Sequence, residues 1–97
     1  MSGHDLPALA LGPDVGIAQA AACRETLLAA IAGSEGALRL DLGAVTDIDS
    51  SALQLLLAAE RRLQQQGRAL HLVATSPVVQ SALQVLGLQG RWPAGPA

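Results

Sequence analysis

The sequence has almost no aromatic residues and no lysine. Trp92 is the only aromatic residue, and the six positive charges are all arginines, scattered along a chain with a net charge of −2. Proteins that bind nucleic acids need a basic surface, and those that bind single strands also need aromatic side chains for base stacking. We therefore expect an aliphatic core and no nucleic-acid partner.

Cysteine and histidine are scarce as well. Cys23 is the single cysteine and cannot form an intramolecular disulfide, and His4 and His71 are the only histidines. This set contains no metal-binding pattern, so we expect no metal site and no cofactor. We interpret Cys23 as a small, buried side chain rather than a nucleophile, and His71 as a surface or hydrogen-bonded histidine rather than a ligand or base.

Long hydrophobic runs are absent too. No stretch reaches the roughly 18 apolar residues of a membrane-spanning helix, and the first residues lack the basic region and apolar run of a secretory signal. We therefore expect a cytoplasmic protein without direct membrane insertion. The length allows one domain, predicted as residues 1–97, with 6–90 folded and 91–97 a mobile tail. Whether Trp92 anchors this tail or belongs to an interface stays open.

Hydrophobic periodicity predicts strands that alternate with helices. In residues 37–42 every second residue is a leucine, which is the periodicity of a strand, and residues 69–74 are similar. Residues 6–11 are a short apolar stretch interrupted by Pro7, which predicts an edge strand. Helices are predicted from Asp14 or Gly16 to Ala32, over about 50–66, and from Ser76 to Gly87, with 43–49 as a loop. The alternation predicts an α/β fold with a small, mostly parallel or mixed sheet of about three to four strands and about three helices.

The junction before the second helix is the most informative stretch. Two acidic residues, Asp47 and Asp49, precede two hydroxyl residues, Ser50 and Ser51, at the predicted helix start. A phosphate on Ser50 would meet the positive end of the helix dipole but would be repelled by Asp49, so it would perturb the local surface. The alternative is that Asp49 and Ser50 are ordinary capping residues. An acid–base or metal role for the two aspartates has no third ligand to support it.

Several landmarks along residues 37–90 follow one another in a recognisable order. They are Asp41-Leu42, Val45, Ile48-Asp49-Ser50-Ser51-Ala52-Leu53, Leu56-Leu57, Gly67-Arg68-Ala69-Leu70, Ser76-Pro77 and Leu86-Gly87-Leu88. In this order and spacing the chain resembles the STAS domain family, which includes the bacterial anti-sigma factor antagonists. The resemblance implies a STAS-like fold.

The resemblance also implies roles for individual residues. Ser50 matches the hydroxyl residue that a partner kinase phosphorylates, Asp49 matches the preceding acid that contacts the kinase, and Ser51 matches its small neighbour. In the family the unphosphorylated form binds the anti-sigma kinase and releases the sigma factor. With Ala52, which stands where the antagonists usually have glycine, these residues form the predicted partner-binding surface.

The function that follows from the resemblance is a non-enzymatic regulatory adaptor, switched by phosphorylation of Ser50. The short N-terminus and the alanine- and leucine-rich run from Ala52 to Ala59 are more typical of a divergent subgroup. The first alternative is therefore a constitutive adaptor of a chemotaxis pathway or of a phospholipid-transport ATP-binding subunit. A small enzyme using the acidic loop and a homodimeric or larger scaffold are the remaining alternatives.

Overall fold

The computed structural model describes residues 8–92. It has three helices and a small, parallel sheet system, which confirms the predicted α/β, STAS-like fold. The elements, in chain order, are β1 (Leu9–Ala10), β2 (Asp14–Val15), a 3-10 turn (Ile17–Gln19), α1 (Ala20–Ala32), β3 (Leu38–Leu42), β4 (Asp47–Ile48), α2 (Ser50–Gln65), β5 (Leu70–Thr75) and α3 (Pro77–Val85).

The main sheet has the order β1-β3-β5, and both pairings are parallel. The central strand β3 carries Leu38, Leu40 and Leu42 on its buried face, as the alternation predicted. The two strands on either side of β3 are reached through helices, as parallel pairing requires. The chain leaves the carboxyl end of β3 and reaches the start of α2 through residues 43–49, which include β4.

A second, two-stranded parallel sheet joins β2 to β4, with Asp14 beside Asp47 and Val15 beside Ile48. The predicted helix start at Asp14 was wrong, whereas the alternative at Gly16 caps the 3-10 turn, and the loop predicted over 43–49 contains the short strand β4. Each strand is only two residues long, so it has no periodicity of its own and forms because the other strand lies beside it. The first helix consequently begins at Ala20, after the 3-10 turn.

Gly12 lets this second sheet approach the core. Its φ is +106°, and a Cβ atom there would lie 3.0 Å from Val45 Cγ2 and 3.2 Å from Val45 Cα. A side chain at position 12 would therefore meet both strain and a clash. The contact holds the segment after β3, which carries the buried Val45, against the turn between β1 and β2.

The second helix packs its apolar stripe on the sheet, but one buried residue was not expected. Glu60 is a charged residue, which is usually exposed on a helix, yet it is only 8% exposed. Its Oε1 accepts hydrogen bonds from Nε and Nη2 of Arg91, at 2.9 and 2.7 Å. A buried carboxylate needs such a partner, and this one comes from beyond α3.

The C-terminal segment folds back as far as residue 92. Trp92 is 6% exposed and belongs to the hydrophobic core, and the Arg91 guanidinium lies 5.9 Å from the centre of its ring. Trp92 is therefore an anchor within this chain, and the predicted mobile tail does not include positions 91 and 92. The rest of that tail, 93–97, and the first residues, 1–7, lie outside the described residues.

Candidate functional site

Asp49 caps α2 and ties it to a distant turn. Its Oδ1 accepts a hydrogen bond from the backbone N–H of Ser51 at 2.9 Å, which is a standard N-cap bond. Its Oδ2 accepts from the backbone N–H of Ile17, also at 2.9 Å, although the two residues are 32 positions apart. Both oxygens of this half-buried carboxylate therefore hold backbone groups in place.

Ser50 is the first residue of α2, and its side chain is exposed. The first N–H groups after it already have acceptors: that of Ser51 bonds to the Asp49 carboxylate, and those of Ala52 and Leu53 bond to the Asp49 carbonyl, at 3.1 and 3.4 Å. A phosphate on Ser50 could not take these donors without displacing Asp49. It would instead project from the surface beside a fixed negative charge.

The other two residues of the predicted partner surface differ in accessibility. Ser51 is half-buried, whereas Ala52 is only 5% exposed and packs in the hydrophobic core. The inclusion of Ala52 in the partner-binding surface needs correction, because its methyl group faces inward. Alanine is tolerated there because the position lies within α2, and no residue other than glycine has a positive φ in the part of the chain that the structure describes.

An apolar groove lies directly beside Ser50, between the start of α2 and one face of α3. This groove was not identified from the sequence. Leu86 is 49% exposed, Val85 is 82% exposed and Val78 is 37% exposed. The signal was available: α3 has apolar residues on two sides, more than one buried face requires. The groove is lined by Ile48, Asp49, Ser50, Leu53, Val78, Ser81, Ala82, Val85 and Leu86.

The remaining candidate residues do not converge on a site. Asp47 is exposed, His71 is half-buried on β5 beside Arg39, and Cys23 is half-buried on α1. Burial raises the pKa of the Cys23 thiol, which disfavours the reactive thiolate. Within residues 8–92 no group of three His, Cys, Asp or Glu side chains is arranged to hold a metal ion. In the same range no helix is long and apolar enough to cross a membrane.

A comparison with models of known protein families assigns the chain to one of them. Residues 3–92 match the family model described as "Mlab, STAS domain". Because this match covers nearly the whole chain, the protein belongs to this family of STAS domains, as the sequence resemblance indicated. Searches of curated proteins and of solved structures found no match. STAS domains commonly mediate protein–protein interactions, and membership indicates an antagonist-like or related regulatory role.

Proposed function

We propose that this chain is a non-enzymatic STAS adaptor that docks on a protein partner through Ser50 and the adjacent apolar groove. The observation that carries the proposal is the position of an exposed hydroxyl group at the rim of an exposed apolar surface. Apolar patches of this kind on small proteins are typical of interaction sites. Asp49 supports the surface by fixing the start of α2, and it is not itself the principal contact.

Phosphorylation of Ser50 is the regulation that we propose for this surface. The Asp49 carboxylate and carbonyl occupy the first N–H donors after Ser50. The added charge would therefore stand at the rim of the groove and would have to be desolvated by any partner that covers it. The proposed partner in this case is an anti-sigma factor kinase, which would bind the unmodified form.

A constitutive adaptor is the second candidate, and the matching family model, that of the Mlab STAS domain, favours it. In this candidate the apolar groove binds the partner without any modification of Ser50. The partner would then be a phospholipid-transport ATP-binding subunit or a chemotaxis protein. The docking surface is the same as in the first candidate, and only the role of Ser50 differs.

Binding measurements with purified candidate partners distinguish these proposals. Proteins encoded beside the gene would be titrated by calorimetry against wild type, Ser50→Ala, Ser50→Asp and Val85→Asp. The matched control is Gln64→Glu, which adds one negative charge at an exposed position in the last turn of α2. Mass spectrometry of the protein isolated from its host would locate any phosphate.

The switch predicts that Ser50→Ala binds and Ser50→Asp does not, with phosphate found on Ser50. The constitutive adaptor predicts that both Ser50 variants bind. Both candidates predict that Val85→Asp loses affinity by tenfold or more, because a charge would enter an apolar interface. If Val85→Asp and Gln64→Glu bind equally well, the groove is not the docking surface and the proposal fails.

A further inference from the structure

A second groove runs between α1 and α2 and shares no residue with the Ser50 groove. Its lining residues recur at helical spacing on both sides, at 24, 27, 28 and 31 on α1 and at 55, 58, 59 and 62 on α2. Positions i, i+3, i+4 and i+7 form one face of a helix. The two helices therefore present matching faces to a trough that runs along both of them.

The trough has an apolar floor and a basic rim. Leu27, Ile31 and Ala59 are buried at its base, and Leu28 and Leu55 are half-buried on its walls. The rim carries three exposed arginines, Arg24 on the α1 side and Arg61 and Arg62 on the α2 side. Among the residues that the structure describes, no carboxylate lines the trough.

These arginines hold half of the positive charge of a chain whose net charge is −2. Among residues 8–92, none of the three makes an ion pair or a hydrogen bond through its side chain. By contrast, Arg68 donates to carbonyl, hydroxyl and amide oxygens, and Arg91 is paired with the Glu60 carboxylate. Unpaired charges of one sign gathered around an apolar trough attract a ligand of the opposite sign.

We propose that this trough binds an acidic amphipathic helix of a protein partner. A third helix laid between two others fills such a trough with its apolar stripe, as helices do in helix-in-groove recognition. Acidic residues beside that stripe would then reach Arg24 on one side and Arg61 and Arg62 on the other. A flat membrane surface would reach the rim but not the floor, so the concave shape favours the helix.

A labelled model peptide tests the proposal. The probe is a fluorescein-labelled helical peptide with leucines at i, i+3, i+4 and i+7 spacing and glutamates beside them, and its control carries glutamines instead. Binding is followed by anisotropy with wild type and with Arg24→Gln/Arg61→Gln/Arg62→Gln. The matched variant Gln54→Glu/Gln84→Glu/Gln89→Glu changes the net charge equally at exposed positions outside the trough.

The glutamate peptide is expected to bind wild type and the matched variant with similar affinity. It is expected to bind wild type more tightly than the glutamine peptide does, and its affinity should fall as salt is added. Three rim ion pairs together predict about a tenfold loss in the arginine variant. The proposal would be overturned if the glutamate peptide did not bind wild type, or if wild type bound both peptides with equal affinity. It would also be overturned if the arginine variant bound the glutamate peptide as tightly as wild type does. Binding only to phosphatidylglycerol vesicles would also overturn it, in favour of a membrane surface. Val85→Asp is expected to leave peptide binding unchanged, so the result is independent of the Ser50 groove.

Discussion

Replacing Asp49 with alanine would remove two backbone ties at once. The carboxylate accepts from the N–H of Ser51 and from the N–H of Ile17, both at 2.9 Å. The lost N-cap is worth about 1 kcal/mol, and the exposed bond to the 3-10 turn is worth about another 0.5–1 kcal/mol. The charge at the positive end of α2 adds about 0.5 kcal/mol. We therefore expect the free energy of unfolding to fall by about 2–3 kcal/mol, with Tm lower by about 10–20 °C.

Urea titration provides the measurement, with helicity followed by circular dichroism and the C-terminal segment by the fluorescence of Trp92. Asp49→Asn keeps one acceptor oxygen for the cap but cannot accept from Ile17 as well, so about 1 kcal/mol should be lost. The matched control is Asp47→Ala, because Asp47 is exposed and its carboxylate has no hydrogen bond within residues 8–92. Its stability should stay within about 0.5 kcal/mol of wild type. Equal stability of Asp49→Ala and Asp47→Ala would refute the reasoning.

Two further predictions concern residues away from the grooves. Arg68 donates to the Ile31 and Gly36 carbonyls and to the Ser34 hydroxyl at 2.7–3.0 Å. Because a lysine ammonium cannot donate in these three directions at once, Arg68→Lys should lower the free energy of unfolding in urea by about 1–2 kcal/mol. An unchanged stability would contradict this. Because burial raises the pKa of the Cys23 thiol, iodoacetamide should alkylate the native protein with a rate-against-pH midpoint above that of the urea-unfolded chain. Coincident midpoints would show that folding does not suppress the thiolate.

The regular elements could be predicted because their signals are local. The alternating leucines of β3 report burial on one face, and Ser76 followed by proline marks the start of α3, where the Ser76 hydroxyl accepts from the Val79 N–H. The stretch around Ser50 likewise carried enough landmarks to indicate the STAS family. These features depend on residues a few positions apart, so reading the chain in order detects them.

One register shift shows where periodicity stops being sufficient. Strict alternation would place Ala74 on the same face as Leu70 and Leu72. The pairing shifts between Leu40 and Asp41, however, so that Ala74 lies beside Asp41 and Thr75 beside Leu42. A bulge exchanges the two faces of a strand beyond it. The residues of β5 do not predict this bulge, because it depends on how β5 pairs with β3.

The sequence was sufficient for the α/β class, the order of most elements and the position of Ser50 at the start of a helix. The tertiary structure decided what surrounds that helix: the tie from Asp49 to Ile17, the burial of Glu60 beneath Arg91, and the two grooves. The bonds join residues 32 and 31 positions apart. Whether such residues meet depends on the path of the whole chain, and a local pattern of hydrophobic and polar residues does not encode that path.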